Sequence, residues 1–181
     1  MWMAQPQHPS NSPYLSPAFM VPKADHTILP RWVNDYRWIN VNTITNSYPL
    51  PQINDMLADC VKGKIWGKIN MTNSFFQTRM HPDNIKYTMV MTPHGTFEWT
   101  IMPMGLKNAP STHQWWMNDV LQGLIWRICH CYMDNIIIWS KTIEEHQRNI
   151  KSVMEALRKA ELVDWPQSRL QTFWTWFRHE S

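Results

Sequence analysis

Hydrophobic and polar positions recur along this chain at two different periods, which divide it into short strands and longer helices. Residues 64–71 alternate between two sets of side chains, which predicts a strand whose last outward polar residue is Asn70. Short apolar or β-branched runs predict further strands at residues 19–22, 31–36, 85–92, 96–102, 127–133 and 136–139. Helical spacing predicts helices at residues 53–60, 109–124 and 142–160, and residues 1–17 are expected to be an irregular lead-in.

Turn and cap residues agree with this division. Thr142 is followed three residues later by Glu145, which predicts a capping box at the start of the last helix. Only Asp134 and Asn135 separate the last two strands, which is the length of a tight hairpin. The order of the elements predicts an α+β fold in which helices cover one face of an antiparallel sheet.

Composition and charge narrow the function only slightly. The 181 residues are 44% hydrophobic, which suffices for one sizeable core or for two lobes. The net charge of +3 permits a polyanionic partner without requiring one. No apolar run approaches the ~20 residues of a membrane span, so no membrane partner is expected, and the polar N-terminus does not resemble a signal peptide. The 3 cysteines lack a framework spacing, so we expect an intracellular protein, with the cytoplasm and the nucleus both left open.

Some unusual residues have competing interpretations. The triplet Cys129-His130-Cys131 could suggest zinc, but no second ligand pair stands at finger-like spacing. We therefore expect both cysteines to be small apolar groups on one side of a strand. The 12 tryptophans could be stacking platforms for nucleic-acid bases. Other histidines lack a partner spacing for metal binding or catalysis and are expected at the surface or on helix faces: His94, His113 and His146.

The tight hairpin at Tyr132-Met133-Asp134-Asn135 also permits two interpretations. Asp and Asn are good turn residues, so a purely structural turn accounts for the hairpin taken alone. Its place in the chain favours a role in a chemical site, because a strand ending in the polar Asn70 precedes an apolar hairpin with an acid at its tip.

In this order, the sequence resembles the reverse transcriptase family, specifically the polymerases of gypsy-type LTR retrotransposons. The matching stretches are SPYLSPAFMVPKAD, LPRWVNDYRWINVNT, YPLPQINDML, KGKIWGKINMTNSFFQTRMHPD, FEWTIMPMGLKNAP and ICHCYMDNIIIWSKTIEEH. They cover about residues 12–161 as one reverse transcriptase domain. The resemblance implies a fingers–palm fold without a thumb, in which residues 1–46 and 78–107 are fingers-like and residues 47–77 and 108–181 are palm-like.

The resemblance also implies roles for individual residues. The family's palm holds two Mg²⁺ ions with three aspartates, whose positions are taken here by Asn70, Asp134 and Asn135. The hairpin that carries the last two also includes Tyr132 and Met133. The binding site for the incoming nucleotide (dNTP) corresponds to Lys23, Arg31, Phe75, Met104 and Gly105. The implied partners are an RNA or DNA template–primer and dNTP, and the implied context is a larger polyprotein with a thumb and an RNase H domain.

The chain departs from the family at the metal ligands. Asn70 and Asn135 are neutral, so Asp134 is the remaining carboxylate of that set. A pair of unit charges ~4 Å apart contributes on the order of 4 kcal/mol at an effective dielectric near 20, and against a dication about twice that is an upper limit. Because about 1.4 kcal/mol is a factor of ten in rate, we expect polymerisation with Mg²⁺ to be undetectable or nearly so.

Other departures share a pattern. Tryptophan replaces the family's Arg or Gln at Trp38, Trp115 and Trp116, and Asn54 replaces an aspartate. The Arg-to-Trp and Asp-to-Asn changes can each arise from one C-to-T or G-to-A mutation, which favours a decayed element copy over selected stacking platforms. Residues 173–179 show only a loose similarity to the strand that grips the primer. Three hypotheses follow: an impaired RNA-directed DNA polymerase domain, a non-catalytic nucleic-acid-binding or interaction domain, and a functionless transposon relic.

Overall fold

The computed structural model divides the chain into two compact units. The described residues are 7–25, 27, 29–71 and 74–162, so residues 173–179 and residues 1–6 of the predicted lead-in lie outside them. The first unit consists of residues 1–46 and 75–110, and the second unit consists of residues 47–74 and 111–181. Among the described residues, no helix is both long enough and apolar enough to span a membrane.

A five-stranded mixed sheet forms the first unit. Its strands are β1 (Gln7–Pro9), β2 (Ser16–Val21), β3 (Arg31–Asn34), β5 (Val90–Thr92) and β6 (Gly95–Trp99), in the spatial order β1-β6-β5-β2-β3. The β2–β5 pair is parallel and the other pairs are antiparallel. Two short helices, α1 (Arg37–Val41) and α3 (Pro82–Ile85), belong to this unit, and a 3₁₀ turn at Lys86–Thr88 follows α3 directly.

The core of the first unit forms around Tyr36, Val90, Trp99 and Ile101. The Tyr36 hydroxyl donates a hydrogen bond of 2.9 Å to the Thr88 carbonyl, so the polar end of this buried ring is satisfied. The Thr88 hydroxyl accepts a hydrogen bond of 2.8 Å from the backbone N–H of Trp99. Thr88 therefore ties the 3₁₀ turn to β6 inside the core.

A three-stranded antiparallel sheet with three helices forms the second unit. Its elements are α2 (Ile53–Cys60), β4 (Ile65–Asn70), α4 (Ala109–Val120, of which the first two residues belong to the first unit), β7 (Cys129–Tyr132), β8 (Asn135–Ser140) and α5 (Ile143–Lys159). The strand order is β4-β8-β7, so β8 lies in the centre. Both pairs are antiparallel.

Two helices cover one face of this sheet, as the sequence pattern predicted. Since directly paired residues share a face, the pairings of Ile138 with both Gly67 and Cys129 define the inward side. The side chains that pack together there come from α4 and the residue that follows it, and from α5, β7 and β8: Met117, Leu121, Val153, Leu157, Cys129, Cys131, Ile136 and Ile138. The predicted α+β architecture is confirmed, and Cys129 and Cys131 are buried on one face of β7, as expected.

The opposite face contacts α2 at one end and carries Asn70 and Asn135 at the other. The Trp66 indole N–H donates a hydrogen bond of 2.7 Å to the Cys60 carbonyl at the end of α2. His130 Nε2 lies 3.0 Å from Asp59 Oδ2, also on α2. Asn70 is exposed, so the polar tip of the sheet remains open to solvent.

Several predictions of secondary structure were wrong in detail. Residues 85–88 form helical turns rather than a strand, because Pro82 occupies the first turn of α3 and the His81 side chain caps it. The strand predicted from residue 127 begins at Cys129, since Trp126 adopts a left-handed backbone conformation with φ of 67°. Strand β1 lies within the stretch expected to be irregular, where it pairs with β6.

Candidate active site

The ends of two neighbouring strands meet at the tip of the second unit's sheet. Asn70 is the last residue of β4 and pairs in register with Asn135, the first residue of β8. Asp134 precedes Asn135 in the turn, and its backbone carbonyl accepts a hydrogen bond of 2.8 Å from the Met71 N–H. This pairing brings together the three residues that the family resemblance placed at metal-ligand positions.

The three polar side chains form a hydrogen-bonded chain. Asn70 Nδ2 donates to Asn135 Oδ1 at 3.3 Å, and Asn135 Nδ2 donates to Asp134 Oδ1 at 2.8 Å. The second bond is charge-assisted, because its acceptor belongs to a carboxylate. Asp134 is therefore stabilised by an amide N–H at the place where a second carboxylate would repel it.

The turn itself differs from the prediction by one residue. Asn135 lies in β8 and pairs with Tyr132, so the two central residues of the turn are Met133 and Asp134 rather than Asp134 and Asn135. Met133 has φ of 53°. A left-handed residue at the first central position alone is the pattern of a type II′ turn, where glycine is usual. The tip therefore contains a strained non-glycine residue directly before the carboxylate.

Two residues of α4, missed by the sequence interpretation, contact this turn. His113 and Gln114 are completely buried, and both hydrogen-bond to the Met133 backbone. The signal that could have found them is their position one helical turn before Met117, on the side that faces the core. Polar residues on a buried helix face require partners, so they indicate a polar target opposite.

The donor set at the tip does not fit a two-metal centre. Mg²⁺ prefers anionic oxygen ligands at near-octahedral geometry. Here Asp134 supplies the carboxylate, and the Asn135 side-chain oxygen already accepts a hydrogen bond from Asn70. Among the residues that the structure describes, no group of three or more His, Cys, Asp or Glu side chains is placed to hold a metal ion.

Three buried histidines in the second unit have lowered pKa values. Burial lowers the pKa of His113, while the nearby Asp134 charge and a hydrogen bond to Met133 act in the opposite direction. Burial likewise lowers the pKa of His130, although Asp59 opposes it. Burial also lowers the pKa of His146, whose Nδ1 lies 3.1 Å from Ser140 Oγ. His113 and His146 thus lie on helices but not at the surface.

The residues matched to the dNTP site belong mostly to exposed parts of the first unit. Lys23 follows β2 and Arg31 begins β3, and both side chains are exposed. Phe75 is half-buried in the 3₁₀ turn Ser74–Gln77. Met104 is exposed. Gly105 has φ of 102°, and a Cβ there would lie 3.3 Å from the Asn34 carbonyl, so this loop requires glycine.

Comparisons with known protein families agree with this architecture. Residues 21–163 match the model of the family described as reverse transcriptase (RNA-dependent DNA polymerase). The chain is 37% identical over 157 residues to the retrovirus-related Pol polyprotein from transposon opus of Drosophila melanogaster, covering 85% of this chain and 16% of that protein. It is 33% identical over 158 residues to the corresponding polyprotein from transposon gypsy of the same organism, covering 85% of this chain and 15% of that protein.

Solved structures show the same fold. The native prototype foamy virus protease–reverse transcriptase aligns with a TM-score of 0.74 at 26% identity, over 85% of this chain and 20% of that chain. The foamy viral protein in complex with RNA/DNA hybrid aligns with a TM-score of 0.76 at 24% identity, over 85% of this chain and 20% of that chain. The chain therefore spans about a sixth to a fifth of the length of these relatives.

Proposed function

This chain belongs to the reverse transcriptase family, as a reverse transcriptase domain of the retrotransposon type, and we propose that its catalytic centre is the tip formed by Asn70, Asp134 and Asn135. The observation that carries the proposal is the register of β4 against β8, which places residues from two distant parts of the chain within hydrogen-bond distance. By this proposal the second unit is the palm and the first unit is the fingers.

The centre is impaired for nucleotidyl transfer. Divalent metal is a general requirement of the reverse transcriptase family, and the donor set at this tip supplies one carboxylate with two amides. The amides hydrogen-bond to each other and to Asp134, so binding a cation there would break contacts that already stabilise the tip. We expect no detectable RNA-directed DNA synthesis from the unaltered chain.

The exposed cations of the first unit are the dNTP ligands in this proposal. Arg31 offers bidentate contacts to phosphate oxygens and Lys23 offers a point charge. Phe75 is the aromatic that excludes a ribose 2′-hydroxyl, and the loop at Met104 and Gly105 lies under the base pair being formed. These roles follow from the family's pattern at the matching positions.

Restoring both carboxylates tests the assignment of the centre. The double variant Asn70→Asp/Asn135→Asp should acquire a Mn²⁺ site detectable by electron paramagnetic resonance, whereas the unaltered chain should show none. Single-nucleotide addition to a primer on an RNA template is the matching activity assay, chosen because it does not require processive synthesis. Detectable addition by the double variant, against none by the unaltered chain, supports the assignment.

Asp134 supplies the matched control. Adding Asp134→Asn to the double variant should abolish nucleotide addition and weaken Mn²⁺ binding, because two of the three carboxylates remain. An unchanged Mn²⁺ affinity after this third change would place the cation elsewhere and contradict the proposal. A folded double variant that binds no Mn²⁺ would contradict it as well.

Template–primer is the proposed polyanionic partner, and the larger polyprotein of the relatives is the proposed context. Foamy viral relatives have been solved with double-stranded DNA and with RNA/DNA hybrid, and this chain carries a net charge of +3. Fluorescence anisotropy with a labelled RNA/DNA hybrid should show binding whose affinity falls as salt rises. Binding that does not change with salt, or none at low salt, would contradict this partner.

A further inference from the structure

Two consecutive polar residues are buried in α4, directly beneath the strained turn of the hairpin. His113 and Gln114 are each 0% exposed. A buried polar side chain is costly unless its hydrogen-bonding groups are satisfied. The partners of these two side chains therefore indicate what they do.

Gln114 holds the backbone on the β7 side of the turn. Its Oε1 accepts a hydrogen bond of 2.9 Å from the Met133 N–H, and its Nε2 donates one of 2.8 Å to the Cys131 carbonyl. The same Nε2 donates to Asn118 Oδ1 at 2.9 Å, and Asn118 in turn donates to the Tyr48 hydroxyl at 2.6 Å. These partners are backbone groups at the end of β7 and a polar chain that orients the amide.

His113 contacts the other polar group of the same turn residue. The His113 ring hydrogen-bonds to the Met133 backbone. Because the Met133 N–H is already bonded to Gln114, the partner of the ring is the Met133 carbonyl, and the ring is the donor. Neighbouring residues of one helix thus hold both the N–H and the carbonyl of Met133.

Met133 needs such support because its φ of 53° lies in the left-handed region. A residue with a Cβ incurs a cost of roughly 1–2 kcal/mol there, and such conformations persist only when the surroundings over-determine them. The position of Met133 fixes the direction in which the next residue, Asp134, leaves the turn. We propose that His113 and Gln114 are positioning residues that hold this turn in the conformation that presents Asp134 and Asn135 at the proposed catalytic centre.

This inference rests on the proposed function, which makes the tip a catalytic centre. Its first test measures the conformation of the turn and does not require activity. In ¹⁵N-labelled unaltered chain, the Met133 amide should exchange slowly with solvent. In Gln114→Met, which has a similar volume and no acceptor, Met133 exchange should accelerate at least about tenfold, and the Asp134 and Asn135 signals should shift. Amides of the core strand at Ile138 should keep their protection.

Asn149 provides the matched control. Like Gln114, it is a helix amide bonded to a sheet strand, donating to the Trp139 carbonyl at 3.2 Å and to Ser140 Oγ at 2.9 Å, at the far end of β8 from the turn. Asn149→Leu should lower the melting temperature by a similar amount without moving the Met133, Asp134 or Asn135 signals. Equal effects of both variants on these signals would reduce Gln114 to an ordinary structural contact and overturn the proposal.

His113→Phe keeps the test decisive if Gln114→Met fails to fold. It preserves the aromatic contact with Trp116, whose ring centroid lies 6.2 Å away, and removes the donor to Met133. The Met133 carbonyl carbon and the Asp134 amide should shift in this variant. Unchanged signals in folded His113→Phe would overturn the role of His113.

The Asn70→Asp/Asn135→Asp background then separates this inference from the proposed function. There, Gln114→Met should lower kcat for single-nucleotide addition at least about tenfold and leave KM for dNTP within about threefold. An inactive background with perturbed turn signals in Gln114→Met would contradict the proposed function and leave the positioning role supported. An active background with unchanged kcat in Gln114→Met would overturn the positioning role.

Discussion

Substituting Asn135 by aspartate tests the electrostatics of the hairpin tip directly. The Asn135→Asp change replaces the N–H that lies 2.8 Å from Asp134 Oδ1 with a carboxylate oxygen. The lost hydrogen bond to a charged acceptor is worth ~1.5–3 kcal/mol. Repulsion between two unit charges ~4 Å apart adds about 1 kcal/mol in water and about 4 kcal/mol at an effective dielectric near 20. The Asn70 amide still finds an acceptor, so that contact survives.

The two costs do not reach their upper values together, because Asp134 and Asn135 are half-buried and can turn their side chains toward water. We expect Asn135→Asp to lower the free energy of unfolding by about 2–4 kcal/mol in metal-free buffer. For a chain of this length, 1 kcal/mol corresponds to roughly 2–4 °C, so the melting temperature should fall by about 4–16 °C. The control Asn135→Ala removes this hydrogen bond, and the one from Asn70, without adding charge. It should lose about 1.5–3 kcal/mol and remain more stable than Asn135→Asp.

Thermal unfolding followed by circular dichroism measures the charge repulsion in EDTA and the effect of a bound cation across a series of Mg²⁺ concentrations. A cation held between the two carboxylates stabilises the folded state by about 2.7 kcal/mol at a hundredfold excess over its Kd. Mg²⁺ should therefore raise the melting temperature of Asn135→Asp and leave Asn135→Ala and the unaltered chain unchanged. Equal stability of the two variants in EDTA, or an equal response to Mg²⁺, would refute the repulsion on which this reasoning depends.

Three further predictions concern the interior of the second unit. Acidification should destabilise it, because burial lowers the pKa of three histidines: His113, His130 and His146. Below about pH 6.5 the unfolded chain binds more protons than the folded one, so the free energy of unfolding is highest above that pH and falls as the pH drops. The fall is at most about 1.4 kcal/mol per pH unit for each histidine. Urea denaturation measured between pH 8 and pH 5 would contradict this if the free energy of unfolding did not change. Gly67→Ala should cost about 1–3 kcal/mol, since its Cβ would lie 2.8 Å from His146 Nε2, and an unchanged melting temperature would show that the ring moves aside freely. Leu121→Ala should cost about 2–5 kcal/mol by urea denaturation, whereas Leu57→Ala, at a residue 53% exposed, should cost less than about 1 kcal/mol; similar losses would contradict the core assignment.

Local sequence patterns correctly predicted the features of the structure that depend on residues close together along the chain. The alternation along β4 correctly placed Gly67 and Asn70 on opposite faces, and the capping box at Thr142 correctly placed the start of α5. The capping prediction succeeded because the Glu145 N–H bonds the Thr142 hydroxyl within one turn. Such interactions join residues a few positions apart, so a short stretch of sequence is enough to predict them.

Features that depend on pairing between distant segments were not predictable in the same way. Asn135 belongs to β8 rather than to the turn because it pairs with Tyr132 and with Asn70, and the second of these partners lies 65 residues away along the chain. His113 was expected at a surface or on a helix face, and its burial depends on the hairpin that α4 contacts. The family resemblance supplied the candidate site residues, but the hydrogen-bonded amide chain among them appears only once the strands are paired.

The residues that depart from the family's pattern lie outside the buried cores. Trp38 and Trp115 are 67% and 55% exposed, and Asn54 and Asn70 are exposed as well. Trp116 and Asn135 are half-buried, so none of these six replacements lies in a buried core. Exposed replacements usually change stability by less than about 0.5 kcal/mol, whereas a single buried cavity can cost several kcal/mol. In our proposal the replacements at Asn70 and Asn135 removed charge from the tip, while the cores and the buried Gln114 network remain intact, so restoring two carboxylates at the tip tests the proposal directly.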